Sequence, residues 1–191
     1  SRMYAGQSNT IKVALIGCGG RGSGAAANAM SVNKGPVKLV AMADLRQDKM
    51  DQSYLALKQT LGDWIDVPPE RRFLGFDAYR HAIDCLRPGD VALLTTHAAF
   101  RAPHLEYAVQ KGVNVFMEKS FAPDAPGTRR LLSAAELSEK KGLKVACGFM
   151  WRHSKARQEV IKRIHDGEIG DVHMLRIYRV HGPVGCPPLP K

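Results

Sequence analysis

The sequence predicts an α/β fold, an open and doubly wound parallel sheet, on three observations. Short, nearly continuous apolar runs recur along the chain: IKVALI at 11–16, VKLVAMA at 37–43, VALLT at 91–95 and VNVFM at 113–117. Stretches with helical patterning separate these runs, several of them closing on a glycine. A cluster of glycines follows the first run directly. Strands buried on both faces lack polar alternation, and parallel neighbours need crossover helices to reach one another.

Residues 1–10 (SRMYAGQSNT) are small and polar and read as a flexible lead-in or a remnant of export processing. The β-branched run at 11–16 predicts the first strand, the glycines a tight turn, and 25–30 a helix. The second strand is expected at 37–43, stopping at Asp44, and a helix over 46–61 before Gly62. Consecutive prolines in GDWIDVPPE forbid a regular helix or central strand, so 62–70 reads as a loop insertion. A helix follows at 77–86, closed by Pro88-Gly89, and a buried strand at 91–95. Helix 103–111 ends at Gly112, where a missing Cβ suits a C-terminal cap. Then come strand 113–117, helix 128–141 before Gly142, and strand 143–147.

The pattern changes there. Helix 157–165 and the turn DGEIG precede VHMLRIYRV at 172–180, which partly alternates like a half-buried strand. A lone edge strand is physically incomplete, so further chain or a partner subunit is expected to complete a second layer. The expected division is a domain over 11–150 and the start of a second, α/β domain with an open, largely antiparallel sheet over 151–191.

Composition narrows the function. The chain has 191 residues, 45% of them hydrophobic, with 28 Lys and Arg against 18 Asp and Glu, a formal charge of +10. The basic residues are scattered, with no dense arm and no finger or RNA-sheet motif, so nucleic acid is not the expected partner. No apolar run approaches the ~20 residues of a membrane span. Cys18, Cys85, Cys147 and Cys186 form no CxxC pair, so no metal site is expected, and Cys85 and Cys147 read as small buried hydrophobes.

Gly17-Cys18-Gly19-Gly20-Arg21-Gly22 fits G-x-G-x-x-G between a strand and a helix. There the first glycine makes the turn, the second admits a pyrophosphate and the third lets helix and strand pack closely; helix N–H groups face the phosphates. Asp44 follows Gly22 by 22 residues at the end of the second strand, near the spacing of a carboxylate that receives ribose hydroxyls. The pair identifies a Rossmann dinucleotide site. An acid at 44 favours NAD over NADP, whereas Arg46 and Arg21 leave room for a 2′-phosphate. Leu45 and Arg46 flank the acid, and Cys18 contributes backbone without a redox task.

Thr95 and Thr96 end the third strand and read either as ribose or nicotinamide contacts or as a solvated strand end. Glu118-Lys119 follows another buried strand. Lys119 reads either as a group holding charge on a substrate oxygen during hydride transfer or as a salt-bridged lysine at a helix start. His97, Arg101, Arg152 and His153 are the substrate-side candidates, with His104 near the same strand end. No HExxH, nucleophile elbow or P-loop accompanies them.

Together IKVALIGCGGRG, AMADLR, VALLTT, GVNVFMEKS and GFMWRHS resemble the glucose–fructose oxidoreductase / inositol dehydrogenase (Gfo/Idh/MocA) family over nearly all of 11–180. The resemblance implies NAD(P)-dependent oxidation or reduction at a sugar or cyclitol hydroxyl or carbonyl. It implies a C-terminal domain carrying substrate and homo-oligomer contacts, the catalytic role for Lys119, and a substrate- or cofactor-side role for Arg152. Ser120 replaces the proline of the family's EKP element, and Thr96 to Arg101 departs from T-P-N-x-x-H. GCGGRG with the 64–69 insertion resembles an often exported subgroup, so bacterial cytoplasm and periplasm both stay open. An NAD-dependent glycosidase and an inactive dinucleotide-binding regulator are the alternative readings.

Overall fold

The computed structural model describes residues 9–32, 34–178 and 180. Six strands form one wholly parallel sheet: β1 (Ile11–Ile16), β2 (Val37–Asp44), β3 (Arg72–Leu74), β4 (Val91–Leu94), β5 (Asn114–Met117) and β6 (Val145–Cys147). Their order is β3-β2-β1-β4-β5-β6, so the winding reverses between β1 and β4. In such sheets the ligand crevice opens at the C-terminal strand ends beside that reversal.

Helices cover both faces. Helices α1 (Gly20–Met30) and α2 (Gln47–Leu61) bury Ala26, Met30, Met50 and Leu57 against Val13, Leu15, Leu39 and Met42. Helices α3 (Ala78–Asp84), α4 (Arg101–Gln110) and α5 (Ala125–Lys140) bury Ile83, Leu105, Val109 and Leu131 against Ala14, Ile16, Ala41 and Leu94. Each fully buried Leu, Ile or Met contributes about 1.5–3 kcal/mol, so neither layer is dispensable. Leu39 and Met42 face the same side although three residues apart. A register shift opposite Val13/Ala14 passes over Val40 and resets the alternation.

Helices α1, α4 and α5 start earlier than the sequence suggests. Helix α1 begins at Gly20, inside the glycine motif. Pro103 sits in the first turn of α4, where its missing N–H breaks no helical bond. Helix α5 likewise carries Pro126 in its first turn, and the Asp124 carboxylate caps it by accepting from Gly127 N at 2.7 Å. Gly112 does follow α4 with a positive φ of 74°, as a cap there requires.

One expectation is refined and one corrected. Segment 62–70 holds no α-helix or regular strand, as expected, but it packs into the fold: Ile65 and Val67 are buried, Ile65 bridges Leu39 in parallel, and Asp66 N donates to Leu39 O at 2.8 Å. The chain thus runs along the edge of β2 and returns as β3, a strand too short for its pattern to declare. Residues 172–178 form no strand, because no partner strand among the described residues meets their backbone groups. Contacts divide the chain between Phe149 and Met150. The second unit shows a 3-10 turn at Met150–His153 and helix α6 (Lys155–His165).

Candidate functional site

The turn after β1 is built from contacts that only glycine permits. Gly17 has a φ of 99°, and a Cβ there would lie 2.7 Å from Thr96 N. A Cβ on Gly22 would lie 1.9 Å from Gly17 O, so α1 packs directly on the turn. Nothing lies within 4 Å of where Gly19 or Gly20 would carry a Cβ. Two glycines therefore close the turn and two leave its outer side open to an approaching ligand, above the first N–H groups of α1.

Asp44, at the end of β2, braces this turn. Its Oδ2 accepts from Cys18 N at 2.6 Å and its Oδ1 from Arg46 N at 2.9 Å. The buried Cys18 thiol donates to Ala43 O at 3.6 Å, and burial, with Asp44's charge, pushes its pKa up, leaving an unreactive side chain. Cys85 and Cys147 are half-buried, not fully buried as expected. Cys186 lies outside the described residues. Arg46 turns outward onto Asp48, at 2.7 Å.

A cavity of about 280 Å³ opens here, and the turn, Asp44, Leu45, Arg46, Thr95, Thr96 and His97 all border it. Its far wall is aromatic: Phe76, Tyr79 and Phe100, which the sequence did not single out, and His104, which it placed near the same strand end. Phe76 and Phe100 lie 6.1 Å apart and Tyr79 and His104 4.2 Å apart, centroid to centroid. These residues come from the crossover into α3 and the start of α4. Apolar residues next to Gly75 and before Pro103 were the available signal.

The strand-end threonines point inward. Thr95 Oγ1 donates to Ile16 O and Gly17 O at 3.0 and 2.7 Å, locking β4 to the turn. Thr96 Oγ1 lies 3.3 Å from His104 Nδ1. Burial and the Arg101 cation push His104 down to about 4, so its imidazole is neutral at ordinary pH. His97 is exposed, its Nδ1 accepting from Ala99 N at 3.3 Å.

Arg101 is corrected from a substrate-side candidate to a core brace. It is 1% exposed, and its guanidinium donates to Leu94 O and to Thr96 O, so it holds the end of β4 from below. Its aliphatic stem and two carbonyl partners make that burial tolerable, although Nε has no partner.

At the end of β5, Glu118 is buried and accepts from Arg21 Nε at 2.6 Å, while Lys119 beside it is exposed. Arg152 and His153 lie in the 3-10 turn of the second unit and are exposed there. Among the described residues no cluster of His, Cys, Asp and Glu fits a metal ion, and no helix is long and apolar enough to cross a membrane.

No family model matches the chain. It is 30% identical over 148 residues to the inositol 2-dehydrogenase/D-chiro-inositol 3-dehydrogenase of Halalkalibacterium halodurans, covering 78% of this chain and 38% of that one. Its fold superposes on the crystal structure of myo-inositol 2-dehydrogenase from Lactobacillus plantarum with a TM-score of 0.66 at 22% identity, over 86% of this chain and 43% of that one. Scyllo-inositol dehydrogenase from Lactobacillus casei, solved with NAD(H) and scyllo-inositol, gives 0.65 at 24% identity over 85% and 43%. The chain spans less than half the length of each of these relatives.

Proposed function

Because the chain belongs to the Gfo/Idh/MocA family, with an inositol-dehydrogenase-like N-terminal Rossmann domain, we propose that it binds NAD and serves an oxidoreductase acting on a sugar or cyclitol hydroxyl. One observation carries the reading: the glycine turn and the Asp44 carboxylate are one hydrogen-bonded unit, joined at 2.6 Å, on the border of the cavity.

The residues fit a dinucleotide. The open sides of Gly19 and Gly20 admit a diphosphate to the amides at the start of α1. Each Asp44 oxygen accepts one amide and keeps lone-pair capacity for the hydroxyls of the adenine-side ribose. The same negative charge disfavours a 2′-phosphate, which is why NAD is proposed ahead of NADP. The aromatic wall offers flat apolar surface to the adenine ring.

The bound nicotinamide supplies hydride chemistry at a carbinol carbon. Lys119, exposed at the end of β5, holds its ammonium where a substrate oxygen gains charge as hydride moves. Buried Glu118 stays fixed and accepts hydroxyls of the nicotinamide-side ribose, so the neighbouring lysine starts from an anchored backbone. Residues 151–191, with Arg152 and His153, begin the substrate domain on this reading.

A panel of cyclitols and sugars, followed by NADH absorbance with product analysis, tests it. Oxidation by wild type, with Lys119→Ala lowering turnover about 10²–10⁴-fold while NAD affinity changes little, is expected. Normal turnover by Lys119→Ala would contradict the lysine's role. Glycosidic cleavage without net NADH would replace the dehydrogenase reading.

A further inference from the structure

We infer that Arg21 is a positioning residue that acts through Glu118, presetting that carboxylate for the nicotinamide-side ribose and not gripping the diphosphate itself. The inference rests on the reading that this crevice takes a nicotinamide dinucleotide.

Arg21 stands in the first turn of α1 and Glu118 just past β5, 97 residues apart in sequence, yet Arg21 Nε reaches Glu118 Oε1 at 2.6 Å. Strands β1 and β5 are not neighbours, since β4 lies between them. The ion pair therefore spans the end of β4, where Thr95 and Thr96 border the cavity. Glu118's side chain is only 9% exposed and Arg21's 52% exposed, so the carboxylate is the fixed partner and the guanidinium the outer one. Behind the carboxylate, a Cβ on Gly148 would lie 2.8 Å from both oxygens. Gly148 backbone on one side and Arg21 on the other leave the carboxylate little choice of orientation.

Arg21 engages Oε1 alone; Oε2 accepts no hydrogen bond among the described residues. A carboxylate oxygen presented this way matches an O–H donor such as a vicinal diol, and it repels a phosphate. Asp44 ends β2 and Glu118 follows β5, three strand spacings away, about 14 Å at ~4.8 Å per strand. An extended dinucleotide thus meets one carboxylate near each ribose, with the glycine turn between them. Arg21 tunes the second of these without belonging to the first.

Calorimetric titration of the full chain with ADP, ADP-ribose and NAD tests this. ADP carries only the adenine-side ribose, whereas ADP-ribose and NAD carry both. Arg21→Gln is expected to weaken ADP-ribose and NAD about tenfold, the scale of one charge-assisted bond, and ADP less than about twofold. Arg21→Lys should recover part of the loss. In a Glu118→Gln background, Arg21→Gln should change NAD affinity less than about twofold, because the two act as one unit. Equal weakening of ADP, independent losses that multiply, or unchanged affinity for all three ligands would overturn the inference while leaving dinucleotide binding intact. If wild type bound neither ADP-ribose nor NAD, the functional reading would fall and take this inference with it.

Discussion

Replacing Gly19 and Gly22 separately by alanine should split stability from binding. A Cβ on Gly22 would sit 1.9 Å from Gly17 O and 2.7 Å from Thr95 Oγ1. The carbonyl cannot swing away, because it belongs to the turn and accepts the Thr95 hydroxyl at 2.7 Å. Ordinary contact begins near 3.4 Å, so the start of α1 must retreat by about 1.5 Å. Overpacking and the strained Thr95 bond together cost about 3 kcal/mol. At about 2–4 °C per kcal/mol for a chain this size, Gly22→Ala should melt roughly 6–12 °C lower. Gly19 has φ −71° and ψ 177°, which alanine adopts freely, and its Cβ meets nothing within 4 Å. Gly19→Ala should therefore melt within about 2–3 °C of wild type. Its methyl group would still hold a diphosphate off the amides. Losing one charge-assisted bond of about 1.5–3 kcal/mol weakens NAD about 10–100-fold. Thermal melts by circular dichroism and NAD titration by calorimetry read the two effects. A Gly19→Ala protein that binds NAD like wild type, or a Gly22→Ala protein that melts like it, would refute this geometry.

Acid should weaken the fold through His104. Its imidazole, lowered from 6.5 to about 4, stays neutral in the fold while the unfolded chain takes up a proton. The group costs nothing above about pH 6.5, and stability falls as pH drops from there to about 4, by roughly 3 kcal/mol in all. In denaturant titrations His104→Gln should lose that much less than wild type across the same window; parallel curves would contradict the assignment. Arg101→Leu should destabilise by about 2–4 kcal/mol, because the carbonyls of Leu94 and Thr96 lose their donor. A melting point unchanged in that variant would show that Arg101 does not brace β4.

How much of this was legible depended on where the determining contacts lie. Strands β1, β2, β4 and β5 declare themselves because both faces are buried, so Ile11–Ile16 and Val37–Asp44 are apolar with little interruption. Strand β3 does not: three residues, Arg72-Phe73-Leu74, cannot show a period, and the sheet's edge alone recruits them. Prolines blur the starts: helices expected from 103 and 128 begin at Arg101 and Ala125, because Pro103 and Pro126 sit in first turns, where a helix has no N–H bond to lose. In the site, glycine spacing and Asp44 were readable because backbone chemistry fixes both. Arg101 was not, because a buried arginine and an exposed one look alike in sequence. Phe76, Tyr79, Phe100 and His104 meet only through the fold.

Asp44 and the glycine turn are proposed to form one dinucleotide site. Calorimetric titration of the full chain and its Asp44→Ala variant with NAD and NADP tests this most directly. Wild type should bind one NAD and prefer it to NADP. The variant should lose about 10–100-fold in NAD affinity, the range for a charged hydrogen-bond partner, and the preference with it. Wild type that binds neither coenzyme and carries none when purified, or a variant whose relative affinities match wild type, would contradict the claim.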